Sequence, residues 1–366
     1  MCHLAHVLAD SGTKLQFADD PPTADVASTG GPGSLSTLLC PLHLRNLGFA
    51  VPKLGVPGRP AGGIDVLGQL RDFKVELCEA EIREVMQSCG YAHFLAGPEF
   101  SPLDAALFRF RQSRGAQNIP SLAVASILAK KIASGVRYAG LDVRVARHGN
   151  FGADIDTARD AAKNFCVAAN EAGISAVACL TDARTPNQPY LGRGEALLAL
   201  ELLFEGKADP WLMEHHDLCR LLAAHVAALD PKLKADGRQA RSAFQSNIEA
   251  QGSSREAFEE KVHQISTAPR RDLIAEKEGF LVIDLEVLRG AFVDANRQEA
   301  SETRFPDRIG LILRRRPGAY VERGDILASV RGDETTWAHW GDDISASLKV
   351  TAAPVSTPKL ESIVHA

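Results

Sequence analysis

The chain has 366 residues, of which 45% are apolar and 24% charged, and a formal net charge of -5 at pH 7. That length and apolar content suit a globular protein of two domains or one domain with an appendage, and basic residues spread along an acidic chain exclude a nucleic-acid footprint. No run of about 18 apolar residues predicts a membrane span, and residues 1–12 lack the basic start, apolar centre and cleavage site of an export signal, so a cytoplasmic location is expected.

Leu4, Val7 and Leu8 form an amphipathic pattern that breaks at Asp10-Ser11-Gly12 with no capping residue before it, and it reads as the last turns of a longer helix. Residues 13–25 are polar and proline-rich. A short apolar approach then enters Ser28-Thr29-Gly30-Gly31-Pro32-Gly33, followed by Leu35, Leu38, Leu39 and Leu42 at helical spacing. Pro41 should kink that helix and Gly48 end it. A strand over 49–54, a glycine-rich loop over 55–63 and a helix over 79–89 repeat the order of strand, loop and helix.

Pro120 sits where a first helical turn would begin, with a helix over 122–134 stopped by Gly135. A strand over 138–145, a helix over 155–172, a strand over 174–180 and a helix over 195–204 make two β-α units, which imply a parallel sheet covered by helices. Residues 211–262 are charged and helical, with a break at Gly252-Ser253-Ser254. There Glu214, His215, His216 and Cys219 share a helix, but no second cluster offers a metal further ligands, and a solvated helix is expected. From 279 to 332, three strand-like runs separated by turns predict a small α+β subdomain. The turn GAYVERGD at 318–325 has no lysine at a tip and is not a swinging-arm carrier.

The seven cysteines (Cys2, Cys40, Cys78, Cys89, Cys166, Cys179, Cys219) make no CxxC pair and are expected as reduced, buried, small hydrophobes. In the loop at 28–33, three glycines allow positive φ and let successive N–H groups converge on one anion, phosphate above all. Ser28, Ser36 and Thr37 can add hydroxyls, and the helix that follows presents its positive end. An ordinary glycine-rich turn would look the same locally.

Four segments occur in one order: ASTGGPGSLSTLL at 27–39, VPKLGVPGRPAGGIDVL at 51–67, ASILAKKIASG at 125–135 and TDARTPNQPYLGRGEALLALE at 181–201. Together they resemble the thymidine and pyrimidine nucleoside phosphorylase family, over nearly the whole chain from Leu4 to about Asp333. The resemblance implies an α/β fold with a parallel or mixed sheet flanked by helices, a partial all-helical domain (1–14 and 101–134), an α/β phosphate-binding domain (15–100 and 135–270), a C-terminal α+β subdomain (271–345) and a tail (346–366). It implies phosphorolysis of a pyrimidine nucleoside or deoxynucleoside to free base and pentose 1-phosphate, with phosphate as co-substrate and no resident cofactor. It also implies a homodimer formed through the helical domain, and no nucleic-acid or membrane partner.

By the same resemblance Arg111, Ser126 and Lys130 bind the base, with Arg111 and Lys130 serving catalysis, and Phe108 and Phe151 pack on base or sugar or else belong to the core. Ser126 and Lys130 are four apart on a helix and share a face, so both can reach one planar ligand. Ser28, Gly30, Gly31, Gly33, Ser36 and Thr37 are the expected phosphate contacts. Gly33 and Glu201 align with a monovalent-cation site of some relatives, a candidate for potassium.

The chain also departs from the pattern. The family loop is preceded by Lys-His, a phosphate-binding lysine and a proposed proton donor; here Val26-Ala27 stand there. Gly55 and Ile64 align with a serine and a threonine that bind phosphate in the family. Arg59 in the second glycine loop and His148 after the strand over 138–145 are candidate replacements, or else loop and turn surface residues. Val26-Ala27 keep open a family member that binds without turnover. A phosphoribosyltransferase reading, from the Thr-Gly-Gly loop and His148-Gly149-Asn150, lacks an acidic pair for magnesium.

Overall fold

The computed structural model describes the chain apart from residues 29–32, 97, 117–118, 148–150, 298–303, 355–360 and 366. Helix α1 (Cys2–Ala9) buries Ala5, Leu8 and Ala9. Strand β1 (Ala24–Ser28) leads through the glycine loop to helix α2 (Ser36–Asn46), which holds Pro41 within it. Strand β2 (Val51–Gly55), the short helix α3 (Gly63–Leu67), helix α4 (Glu79–Cys89) and strand β3 (Tyr91–Leu95) follow. Next come helices α5 (Pro102–Ser113) and α6 (Pro120–Ala133). Pro120 starts α6 at a position that needs no N–H donor, and Gly135, at φ 68°, turns the chain out of it.

Strand β4 (Tyr138–Val145), helix α7 (Ile155–Glu171) and strand β5 (Ser175–Asp182) form a β-α-β unit, with Asp154 capping α7 by accepting from the Thr157 amide. After the short strand β6 (Tyr190–Leu191) come helices α8 (Arg193–Phe204), α9 (Pro210–Ala227), α10 (Ala240–Ala250) and α11 (Arg255–Thr267). The remainder is β7 (Arg270–Ile274), β8 (Gly279–Ile283), α12 (Leu285–Ala295), β9 (Gly310–Leu313), β10 (Tyr320–Val321), β11 (Ile326–Arg331), α13 (Glu334–Ser347), β12 (Leu348–Thr351) and β13 (Glu361–His365).

Strands β1, β4 and β5 pair in parallel, with Asp25 opposite Ala139 and Asp142 opposite Cys179. Strands β2 and β3 form a second parallel pair, joined to the β1 edge through a bridge between Thr23 and Ala50. The α/β class expected from the β-α units is the class observed. Along β4 the pleat sends Leu141, Val143 and Val145 into a core shared with α7, while Asp142 and Arg144 take the opposite face. Helices α1, α5 and α6 pack on one another, and Ala5, Val124 and Leu128 join that same core.

The C-terminal subdomain stacks two antiparallel sheets, β10-β8-β12 and β6-β9-β11-β7, with α12 and α13 around Leu281, Leu288, Phe292 and Leu311. Residues 346–366, expected as a tail, supply strands instead: β12 pairs with β8, and β13 returns to the α/β sheet antiparallel to β5. The subdomain is tied down by a buried carboxylate. Glu195 at the start of α8 accepts from Arg331 at 2.8 Å and pairs with Arg270 at 3.0 Å.

All seven cysteines are free. Cys78 departs from the expected burial: it is exposed, because it stands at the N-cap of α4, where its amide donates to Glu81. Among the described residues no helix is long and apolar enough to cross a membrane.

Candidate functional site

A cavity of about 170 Å³ opens where the C-terminal end of β1, the start of α2, the loop after β2 and the helix pair α5–α6 meet. Topology sets that place: in an open α/β sheet the carboxyl ends of parallel strands leave a crevice, and the helix beginning there points its positive end into it. Ser28, Thr37, Arg59, Phe108, Arg111, Ser126 and Lys130, all expected site residues, line this one cavity.

On the helical side, Lys130 Nζ donates to Ser126 Oγ at 2.9 Å and to Asp104 at 2.6 Å. The helical spacing of four places the pair on one face, and Asp104 from α5 fixes the ammonium. Arg111 is 4% exposed, with Nε donating to the Ala116 carbonyl at 3.2 Å. Its pKa is lowered by burial. A cation and a hydroxyl on one wall suit a planar ligand with carbonyl oxygens, as charge-assisted donors.

The sheet side holds residues that sequence reasoning missed. Lys53 on β2 donates to Asp25 at 2.6 Å and to the Val26 carbonyl at 2.8 Å, and Lys131 on α6 donates to the other Asp25 oxygen. Burial works against the charged form of Asp25, but Lys131 and then Lys53 outweigh it and hold the carboxyl well below the usual range. Burial brings Lys131 down to about 8, against the pull of Asp25. Two ammoniums on one carboxylate leave a positive charge at the cavity wall, beside Ala27 and Ser28. The signal available beforehand was a lysine inside an otherwise apolar strand, VPKLG, where a charge needs a partner.

Arg144 was missed for the same reason. Its Nε donates to Asp142 at 2.9 Å, and its Nη2 donates to both the Ser34 and Ser36 hydroxyls. Thr181 donates to Asp142 at 2.6 Å. Ser36 does not line the cavity: its hydroxyl donates to Asp142 and accepts from Arg144, and Ser34, which also accepts from Arg144, lines the cavity instead.

The loop carrying Arg59 is held by Asp65, which accepts from the Gly58 and Arg59 amides at 2.8 and 3.0 Å and pairs with Arg193 at 2.8 Å. The loop lies close on His93, where a side chain at Gly63 would collide with the imidazole. Burial, then Lys53, keeps His93 well below its usual pKa and so neutral. The Arg59 guanidinium stands 5.1 Å over the Phe108 ring, half-buried, and its pKa falls to about 10 through burial and then the charge of Arg289. Arg289, on α12, reaches the cavity from the C-terminal subdomain.

Several expected residues stand elsewhere. Phe151 does not meet the cavity: it is fully buried in the core formed with Val143, Ala158 and Phe165, because the chain entering α7 needs an apolar plug there. Gly33, at φ 74°, faces Leu191 and Pro186, whereas Glu201 on α8 faces Arg241 at 3.5 Å. Gly30, Gly31 and His148 lie outside the described residues. His215 is no solvated residue of α9: it is 2% exposed and accepts from the Leu35 amide at 2.8 Å, capping α2. Burial, then Arg144, lowers its pKa to about 3, which keeps the ring neutral as that acceptor role requires. No cluster of three or more metal-ligating residues occurs among the described residues.

No family model matches the chain. Over 356 residues, 92% of this chain and 80% of the relative, it is 25% identical to the pyrimidine-nucleoside phosphorylase of Geobacillus stearothermophilus. Over 213 residues, 57% of this chain and 48% of the relative, it is 34% identical to the thymidine phosphorylase of Agrobacterium fabrum. In structure it is similar to an anthranilate phosphoribosyltransferase from Thermus thermophilus, with a TM-score of 0.50 and 16% identity over 73% of this chain and 84% of that one, a likeness of fold.

Proposed function

We propose that this chain, which is similar to pyrimidine-nucleoside and thymidine phosphorylases, is a divergent member of their family and catalyses phosphorolysis of a nucleoside's N-glycosidic bond. The observation that carries this reading is one cavity lined on one side by Ser126, Lys130 and Arg111 and on the other by Ser28, Thr37 and Lys53. A base and an anion held on facing walls place the sugar's anomeric carbon between them.

In the proposed reaction a phosphate oxygen attacks that carbon while the carbon–nitrogen bond breaks. The bond's electron pair passes to the base and spreads to its carbonyl oxygens, which Lys130 and Arg111 face. The base takes up the proton that the attacking hydrogen phosphate gives up, and the products are free base and pentose 1-phosphate. Positioning lowers the entropy cost and fixed cations meet the developing charge, the two terms such a transfer relies on. Lys53 supplies an ammonium at the backbone of Val26, where the relatives' pattern places a lysine side chain. Ala27 leaves no imidazole to donate a proton.

The test is incubation with inorganic phosphate and a panel of pyrimidine nucleosides, deoxynucleosides and their 5′-monophosphates, with free base and pentose phosphate measured. Release that falls at least about tenfold in Lys130→Met supports the reading. No base from any member of the panel overturns it.

A further inference from the structure

Arg59 and Arg289 face one cavity from opposite domains, and among the described residues neither guanidinium has an ion pair with a carboxylate. Lys53 and Lys131 share Asp25, Lys130 has Asp104, and Arg144 has Asp142. Asp65, the carboxylate nearest in sequence to Arg59, is spent on Arg193 and on two loop amides. For Arg289, the carboxylate that acts on it is Glu286 on its own helix. Two half-buried guanidiniums repel one another in a medium that screens poorly, and a protein keeps such a pair where an anion comes between them.

This pair is distinct from the cation group at the phosphate wall. Lys53 and Lys131 are both taken up by Asp25, at the end of the cavity lined by Ala27 and Ser28. Arg59 lies against Phe108 of α5, on the side of the helices that carry Ser126 and Lys130. Phosphate held at Ser28, Thr37 and Lys53 would therefore leave Arg59 and Arg289 unneutralised.

We propose that Arg59 and Arg289 bind a second anionic group carried by the substrate itself, so that the cleft takes a nucleoside 5′-monophosphate in preference to the neutral nucleoside. This rests on the phosphorolysis reading for the identity of the substrate's other end. A guanidinium offers paired N–H donors that match a phosphate's oxygens, and two of them grip a terminal phosphate from two sides. The C-terminal subdomain then has a role at the site, since Arg289 is its contribution and the Glu195–Arg331 pair holds it in place.

The experiment compares binding of uridine with uridine 5′-monophosphate, and of ribose with ribose 5-phosphate, by calorimetry at fixed ionic strength. It uses the intact protein, Arg289→Gln and Arg289→Lys, each checked for an unchanged melting temperature. Inorganic phosphate and pyrophosphate are run alongside. The expected result is that the 5′-phosphate raises affinity at least about tenfold in the wild type. That factor collapses in Arg289→Gln and is partly kept in Arg289→Lys, while inorganic phosphate affinity stays within about twofold.

Equal affinity for the phosphorylated and neutral compounds, or the same ratio in Arg289→Gln, overturns the proposal. So does an Arg289 dependence seen with pyrophosphate and not with the 5′-phosphates. Base release from uridine with no gain from the 5′-phosphate would sink this inference and leave phosphorolysis standing. Arg289-dependent binding of both 5′-phosphates with no base release would do the reverse.

Discussion

The Lys53 ammonium donates to the carbonyl oxygen of Val26 at 2.8 Å, which sets a cation against a strand residue whose own side chain is aliphatic. The charge thus enters from the neighbouring strand β2, and its second partner, Asp25, is shared with Lys131. Lys53→Met should weaken inorganic phosphate binding about 10- to 100-fold, the worth of one charge-assisted contact, while Asp25 keeps Lys131 and the fold survives. Calorimetric titration checks this, and unchanged affinity in a folded variant would remove Lys53 from the site.

Asp25→Asn should do the opposite damage. It leaves two buried ammoniums side by side with no counter-charge, and a loss of about 3–5 kcal/mol is expected in urea unfolding. A loss under about 1 kcal/mol would show that the cluster is not held together by this carboxylate.

Val26 and Ala27 are not equivalent targets for restoring the relatives' Lys-His pattern. Val26 is 1% exposed and packs against Gly140, whereas Ala27 lines the cavity. Val26→Lys should therefore unfold or severely destabilise the protein, while Ala27→His should fold, because its ring can project into open space. Thermal melts decide it, and a stable Val26→Lys protein would refute the packing argument.

Acid should destabilise the protein from near pH 6.5 downward. His215 and His43 are buried and neutral, with pKa values brought down to about 3 and about 4, mainly by burial. Below about 6.5 the unfolded chain binds protons that the folded chain refuses, so each ring costs about 1.4 kcal/mol per pH unit until its folded value is reached. Stability is therefore complete above the unfolded value and falls as pH drops. Urea midpoints between pH 7 and 4 measure the slope, and His215→Gln should make it shallower. A flat profile would mean that these rings are protonated in the fold.

Legibility varied with the range of the interaction. Pro120 and Gly135 marked both ends of α6 because helix termini have local backbone needs. Ser126 and Lys130 were paired correctly on one face since four residues is a helical turn. Phe151 is left open between cleft and core by the sequence, because an aromatic residue before a helix carries no mark of which it faces, and the structure puts it in the core. His215 and Cys219 looked like a solvated face because the α2 terminus they pack under lies 180 residues away in the chain.

By itself the sequence determined the order of helices and strands and the one-faced Ser126–Lys130 pair, which follow from periodicity and local backbone chemistry, and its four motif segments carried the family resemblance. Only the tertiary structure decided which cations meet. Lys53 reaches Asp25 across 28 residues, Lys131 reaches it across 106, and Arg289 arrives from helix α12. Strand register and domain packing set those meetings, and a buried charge in an apolar strand announces that it needs a partner without saying where the partner is.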